Sequence, residues 1–90
     1  MVVVEFRVRV PDVERLKRTW NKYLAVSEAD GARNQQLFVS ESDPQELTML
    51  AEWESHDAMH ASTEKHGAEF QREAGTEGLE WETRVLHRLA

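Results

Sequence analysis

Four histidines and no cysteine bound the chemistry open to this chain. Without thiols there are no disulfides, thiolate nucleophiles, iron–sulfur clusters or thiolate zinc sites. His66 falls on one helical stripe with Met59 and Phe70, so it is expected to point at whatever that helix covers. A neutral imidazole there could accept a phenolic proton near neutral pH. The competing reading is a core histidine satisfied by a hydrogen bond, as buried polar groups normally are. Arg72, late in the same helix, could bind a carboxylate or enolate; a solvated helix end is the alternative. His56 and His60 are four residues apart, close enough for both to reach one metal, with Asp57 or Glu64 adding an oxygen. No glutamate stands where a zinc peptidase needs its base, and this face reads as exposed, so no metal site is expected. Gly-rich phosphate loops, serine triads and paired-carboxylate motifs are all missing.

The elements that must position these groups follow from periodicity. Val2, Val4, Phe6, Val8 and Val10 alternate with Val3, Glu5, Arg7 and Arg9, the pattern of a half-buried strand. Pro11 stops it and Asp12 is placed to cap a helix. Val13, Leu16, Trp20, Tyr23 and Leu24 recur at helical spacing to about Ser27, and Asp30-Gly31 turns the chain. A second strand is expected over Asn34 to Glu41. After the turn Ser42-Asp43-Pro44 comes a third, with Leu47, Met49, Ala51 and Trp53 on one face. Ser55 caps the helix that carries His66, with a break or bend expected at Gly67. Gly75 and Gly78 end it, and a last strand alternates from Leu79 to Leu89.

These signals describe an α+β, ferredoxin-like βαββαβ domain over residues 1–90: a four-stranded antiparallel sheet with both helices on one face. The open face would carry Glu5, Arg7, Arg9, Glu80, Glu82 and Arg84, with Leu37, Val39 and Leu50. Ninety residues bury little surface, and that mixed face could pair with its own copy across a two-fold axis. A homodimer is therefore expected. The net charge of −6, from 17 acidic and 11 basic residues, disfavours nucleic acid as a partner. Arg15, Lys17, Arg18 and Lys22 read as a solvated helix face. RNA recognition on such a sheet would need a basic face with exposed aromatics. No apolar run is long enough for a membrane span, the N-terminus reads as a strand rather than a signal peptide, and the cysteine-free composition fits the cytoplasm.

Glu52-Trp53-Glu54-Ser55-His56-Asp57-Ala58-Met59 has the form W-x-S-x-x-A where the third strand passes into the second helix. With Ser42-x-Pro44 before that strand and Phe70 late in that helix, the chain resembles the antibiotic biosynthesis monooxygenase family of dimeric α+β-barrel proteins. The resemblance implies two sheets packed face to face and a ligand cavity between each sheet and its helices. It implies a monooxygenase without metal, flavin or haem, acting on an aromatic polyketide-like or quinone/hydroquinone substrate that supplies its own electrons to oxygen. Trp53 matches the family tryptophan that lines the cavity, so Trp53 and His66 are the expected catalytic residues. Phe6, Met49, Met59, Phe70 and Arg72 are expected to bind substrate, their apolar members suiting a flat aromatic ligand. Met49 and Met59 stand where such enzymes place polar groups. Ser62 stands where many relatives carry histidine and the haem-degrading branch a tryptophan, so haem cleavage is not expected. The alternative is a non-catalytic dimeric module of the same fold that binds a hydrophobic small molecule or serves stress or regulation.

Overall fold

A computed structural model describes all of residues 1–90. Its elements follow in the order β1 (Val2–Arg9), α1 (Val13–Ala29), β2 (Arg33–Val39), β3 (Glu46–Trp53), α2 (His56–Ala74) and β4 (Trp81–His87). The strands form one antiparallel sheet in the order β2-β3-β1-β4. This is the ferredoxin-like α+β arrangement that the alternating patterns anticipated. No helix is long and apolar enough to cross a membrane.

Each helix starts where a short polar side chain can take an orphan amide. Asp12 accepts from the Arg15 amide at 3.0 Å, and Ser55 accepts from the Ala58 amide at 3.1 Å. Gly75 closes α2 in the left-handed conformation, φ +71°. The α2 carbonyls that this leaves free are taken by Arg15 of α1. Its Nε donates to the Glu73 carbonyl at 2.7 Å and its Nη2 to the Arg72 carbonyl at 2.9 Å. Lys22 Nζ adds an ion pair with Glu73 at 2.9 Å. Two members of the basic run expected to be merely solvated therefore clip one helix to the other.

Several expectations are corrected. First, α2 runs unbroken through Gly67. A lone glycine weakens a helix by only about 1 kcal/mol, and the packed face around it holds the turn. Second, Leu37 and Val39 do not lie on the open face. They pair with Met49 and Leu47 on the helix side, while Gln36 and Phe38 pair with Leu50 and Thr48 on the open side. The reason is a bulge between Arg33 and Gln36, with Asn34 at φ +51°; one extra residue exchanges the two faces of a strand. Third, β4 begins at Trp81, leaving Leu79 and Glu80 before the ladder. The first helix also extends past Ser27 to Ala29.

Register explains where the chain is solid and where it is hollow. Val2, Val4, Ala32, Trp53 and Met59 pack into one buried cluster, and Val8, Val10, Leu16, Leu47 and Ala74 into another. Between the Val4 and Val8 rows lies the row of Phe6 with its partners Met49 and Thr83. Neither cluster includes those three among its buried members. The gap above that row is the cavity.

Candidate active site

The cavity has a volume of about 330 Å³, within the range of small-molecule sites. Its floor is the middle row of the sheet, where Phe6 meets Trp81 edge-on at 6.4 Å between ring centroids. Its roof is α1 and α2, joined by the edge contact of Tyr23 and Phe70 at 5.4 Å. Trp53, at the end of β3, closes one side and is only 6% exposed. Aromatic side chains in floor, roof and side, on a lining whose surface is mainly apolar, suit a planar, largely apolar ligand.

Of the residues expected to bind or react, Phe6, Met49, Trp53, His66 and Phe70 all line this space. Met59 does not. It is 4% exposed within the cluster of Val2, Val4 and Trp53, because it sits two turns before His66, over the solid end of the sheet. Arg72 does not either: it is exposed at the end of α2, and its backbone carbonyl serves the Arg15 clip. Periodicity missed other parts of the wall. Trp20, Tyr23 and Trp81 read as core but face the hollow, and Gln35, Thr63, Gln71 and Thr83 bring polar atoms. The stripe on α1 did indicate the side that Trp20 and Tyr23 would face. Burial raises the Tyr23 phenol above its ordinary value, with Glu69 and Glu73 adding to the shift, so the hydroxyl stays a donor at neutral pH. The Gln35 amide is turned by a bond from Nε2 to the Leu24 carbonyl at 3.1 Å.

His66 is held by a partner from outside its own helix. Its Nε2 lies 3.1 Å from Oδ2 of Asp30, the residue that ends α1. Ser62, one turn earlier in α2, donates its hydroxyl to the same oxygen at 2.9 Å. The Ser62 hydroxyl holds the Asp30 carboxyl below the ordinary carboxylate value. Lys65 and His66 act in the same direction, and desolvation opposes them. His56 and His60 are exposed, with ring centroids 6.2 Å apart, and His60 faces Glu64 at 3.3 Å. They form no group of three or more histidine or carboxylate ligands that could hold a metal ion.

On the opposite, open face, Arg7 is bonded to Glu82, Arg84 to Glu5 at 2.9 Å and Arg9 to Asp43 at 2.9 Å. Such exposed pairs contribute little individually. They do neutralise that face from within and leave Phe38 and Leu86 exposed on it.

Comparison with known proteins agrees with this fold. The structure superposes on PA3566 from Pseudomonas aeruginosa with a TM-score of 0.77 at 24% identity, covering 99% of this chain and 94% of that one. Rv0793 from Mycobacterium tuberculosis gives a TM-score of 0.76 at 23% identity, covering 99% and 95%. A variant of SnoaB, described as a cofactor-independent oxygenase from Streptomyces nogalater, gives 0.77 at 16% identity, covering 99% and 93%. At these identities the likeness establishes the fold. No protein in the curated set matches the sequence. The sequence model of one family, antibiotic biosynthesis monooxygenase, matches residues 1–76. With that match spanning most of a fold that carries an aromatic-walled cavity at its middle, the chain belongs to the antibiotic biosynthesis monooxygenase family.

Proposed function

We propose that this domain, residues 1–90, is a homodimeric monooxygenase that acts on an aromatic polyketide-like or quinone/hydroquinone substrate without metal, flavin or haem. The observation that carries the reading is the cavity itself: aromatic side chains in its floor, roof and one side, with a histidine in its wall already held by a carboxylate. Family membership supports a monooxygenase. The similarity to SnoaB, a cofactor-independent oxygenase, supports oxygen chemistry driven by the substrate.

The residues would divide the work as follows. A hydroxylated anthrone or hydroquinone lies between the sheet row of Phe6 and the roof of Phe70. His66 takes the phenolic proton, and the anion becomes electron-rich enough to reduce oxygen. For an anthrone, the ring CH₂ and O₂ give a carbonyl and water: one oxygen atom stays on carbon, and the other leaves with the two hydrogens. Trp53 closes the space against water, which strengthens the electrostatic interactions inside. The open face, with its internally paired charges and exposed Phe38 and Leu86, supports self-pairing; a species of monomer mass in sedimentation at micromolar concentration would contradict it.

Oxygen consumption with hydroxylated anthrones and hydroquinones tests the enzyme. Uptake should occur with at least one substrate and persist after chelation. It should fall by roughly 10²-fold or more in His66→Ala, the range of a general base, and fall also in Trp53→Phe. Uptake equal to wild type in both variants would reject this site. One observation favours a second reading, a non-catalytic dimeric module that binds a hydrophobic small molecule or serves in stress: the wall at Met49 is apolar and adds no second proton-handling group. Ligand binding without any oxygen uptake would select it.

A further inference from the structure

We propose that Asp30 is a positioning residue for His66, fixing the imidazole as the Nε2–H tautomer and leaving Nδ1 as the proton acceptor for a ligand in the cavity. The inference rests on His66 as the base of the reaction proposed above, and adds the group that makes it one.

Three elements of geometry carry it. The His66 Nε2 and Asp30 Oδ2 atoms are 3.1 Å apart, with the two side chains 26% and 22% exposed, so the contact is partly withdrawn from water. The carboxylate is itself fixed. Ser62, nearly buried, donates its hydroxyl to the same Oδ2 at 2.9 Å, and the Asp30 amide is tied to the Val26 and Ser27 carbonyls at 3.2 and 3.1 Å. The pair also joins two elements, the end of α1 and the middle of α2, so the imidazole is steadied from outside its own helix.

The position of Asp30 adds a second argument. It ends α1, where the helix dipole disfavours an anion and a basic side chain would serve better. The cap does not account for an aspartate here; its partners do. Ser62, and then Lys65 and His66, outweigh the desolvation and keep the carboxyl below its ordinary range, so it is a carboxylate at neutral pH.

The chemistry follows from the imidazole's two nitrogens. A neutral ring has one N–H and one lone pair, and the hydrogen bond made by one nitrogen decides the role of the other. A carboxylate only accepts, so it selects N–H at Nε2 and assigns the lone pair to Nδ1. When Nδ1 takes a proton, the imidazolium forms beside an anion already in place.

The test uses ¹⁵N-labelled protein and long-range proton–nitrogen correlations of the neutral His66 ring, beside oxygen-uptake kinetics. Wild type should show the Nε2–H tautomer. Asp30→Ala should lose that preference, with kcat down on the order of tenfold or more and KM changed by less than about twofold. Asp30→Asn, whose amide oxygen can accept both hydrogen bonds, should keep the tautomer and recover part of the rate. If Asp30→Ala does not fold, Ser62→Ala, which frees the carboxylate without removing it, should mix the tautomers. An Nδ1–H ring in wild type, a tautomer unchanged by Asp30→Ala, or a loss confined to KM would overturn the proposal. If His66→Ala consumes oxygen as wild type does, the oxygenase assignment of His66 fails, and the tautomer comparison still decides whether Asp30 orients the ring.

Discussion

Gly67 lies inside α2 and lines the cavity, so substituting it separates helix stability from ligand capacity. A glycine within a helix costs about 1 kcal/mol relative to alanine. Its φ is outside the left-handed region, so alanine meets no backbone penalty there. A Cβ built at this position has one close neighbour, Cγ2 of Thr63 at 3.4 Å, an ordinary contact with an exposed side chain. Nothing offsets the helix gain. Gly67→Ala should therefore stabilise by about 0.5–1 kcal/mol, where each kcal/mol raises Tm by roughly 4–8 °C in a domain of this size. Gly67→Leu keeps most of that gain, since leucine is also a strong helix former, but places a branched side chain at the wall of a cavity of only about 330 Å³. The assay is built into the molecule: Trp20, Trp53 and Trp81 all line the cavity, so bound hydroquinone should quench the intrinsic fluorescence. Thermal scans should show both variants above wild type. Titration should show weakened quenching in Gly67→Ala and little or none in Gly67→Leu. A lower Tm in Gly67→Ala would refute the continuous helix, and wild-type quenching in Gly67→Leu would refute this cavity as the binding site.

Other perturbations have equally definite outcomes. At Gly75 an added Cβ would lie 2.8 Å from Arg15 Nη1 with φ at +71°. Gly75→Ala should thus cost about 1–2 kcal/mol in backbone strain alone and more as the Arg15 clip is displaced, lowering the urea midpoint at constant m-value; an unchanged midpoint would contradict the clip. The Thr76 hydroxyl is fully buried with no hydrogen-bond partner, so Thr76→Val should stabilise by about 1 kcal/mol, and a clear loss in denaturation would reveal a buried water as its partner. Asp30 is held below the ordinary carboxylate value by Ser62 first, and Asp43 by the Gln45 amide and then Arg9. A depressed folded value gives stability that is complete above the unfolded value and is lost as pH falls through the folded one. Acid titration should therefore show stability declining below the unperturbed carboxylate value of 3.8, with a shallower decline in Asp43→Asn; identical acid profiles would exclude Asp43.

The central strand was readable because one face of it is core and no bulge interrupts it: every second residue from Val2 to Val8 lies on the helix side, as alternation required. The edge strand was not. Asn34 inserts a residue that no hydrophobic pattern marks, and the two faces of Leu37, Phe38 and Val39 exchange. On α2 the stripe through Met59, His66 and Phe70 gave the correct side of the helix but not the level along it, so Met59 proved to be core and His66 cavity wall. Periodicity likewise cannot tell a filled layer from a hollow one, which is why Trp20, Tyr23 and Trp81 read as packing. Asp30 carried only the signature of a turn. Its role depends on a residue 36 positions away, brought near when α2 folds back over the end of α1.

The proposed site would hold a planar phenolic ligand in the space between the sheet and α2, with His66 as its proton acceptor. A crystal structure with a non-oxidisable hydroquinone analogue tests this most directly. The ring should lie between Phe6 and Phe70 beside Trp53, with a hydroxyl oxygen within hydrogen-bond distance of His66 Nδ1 and with Nε2 still on Asp30. A ring bound on the open sheet face, or one in the cavity with its hydroxyl turned away from His66, would contradict the account.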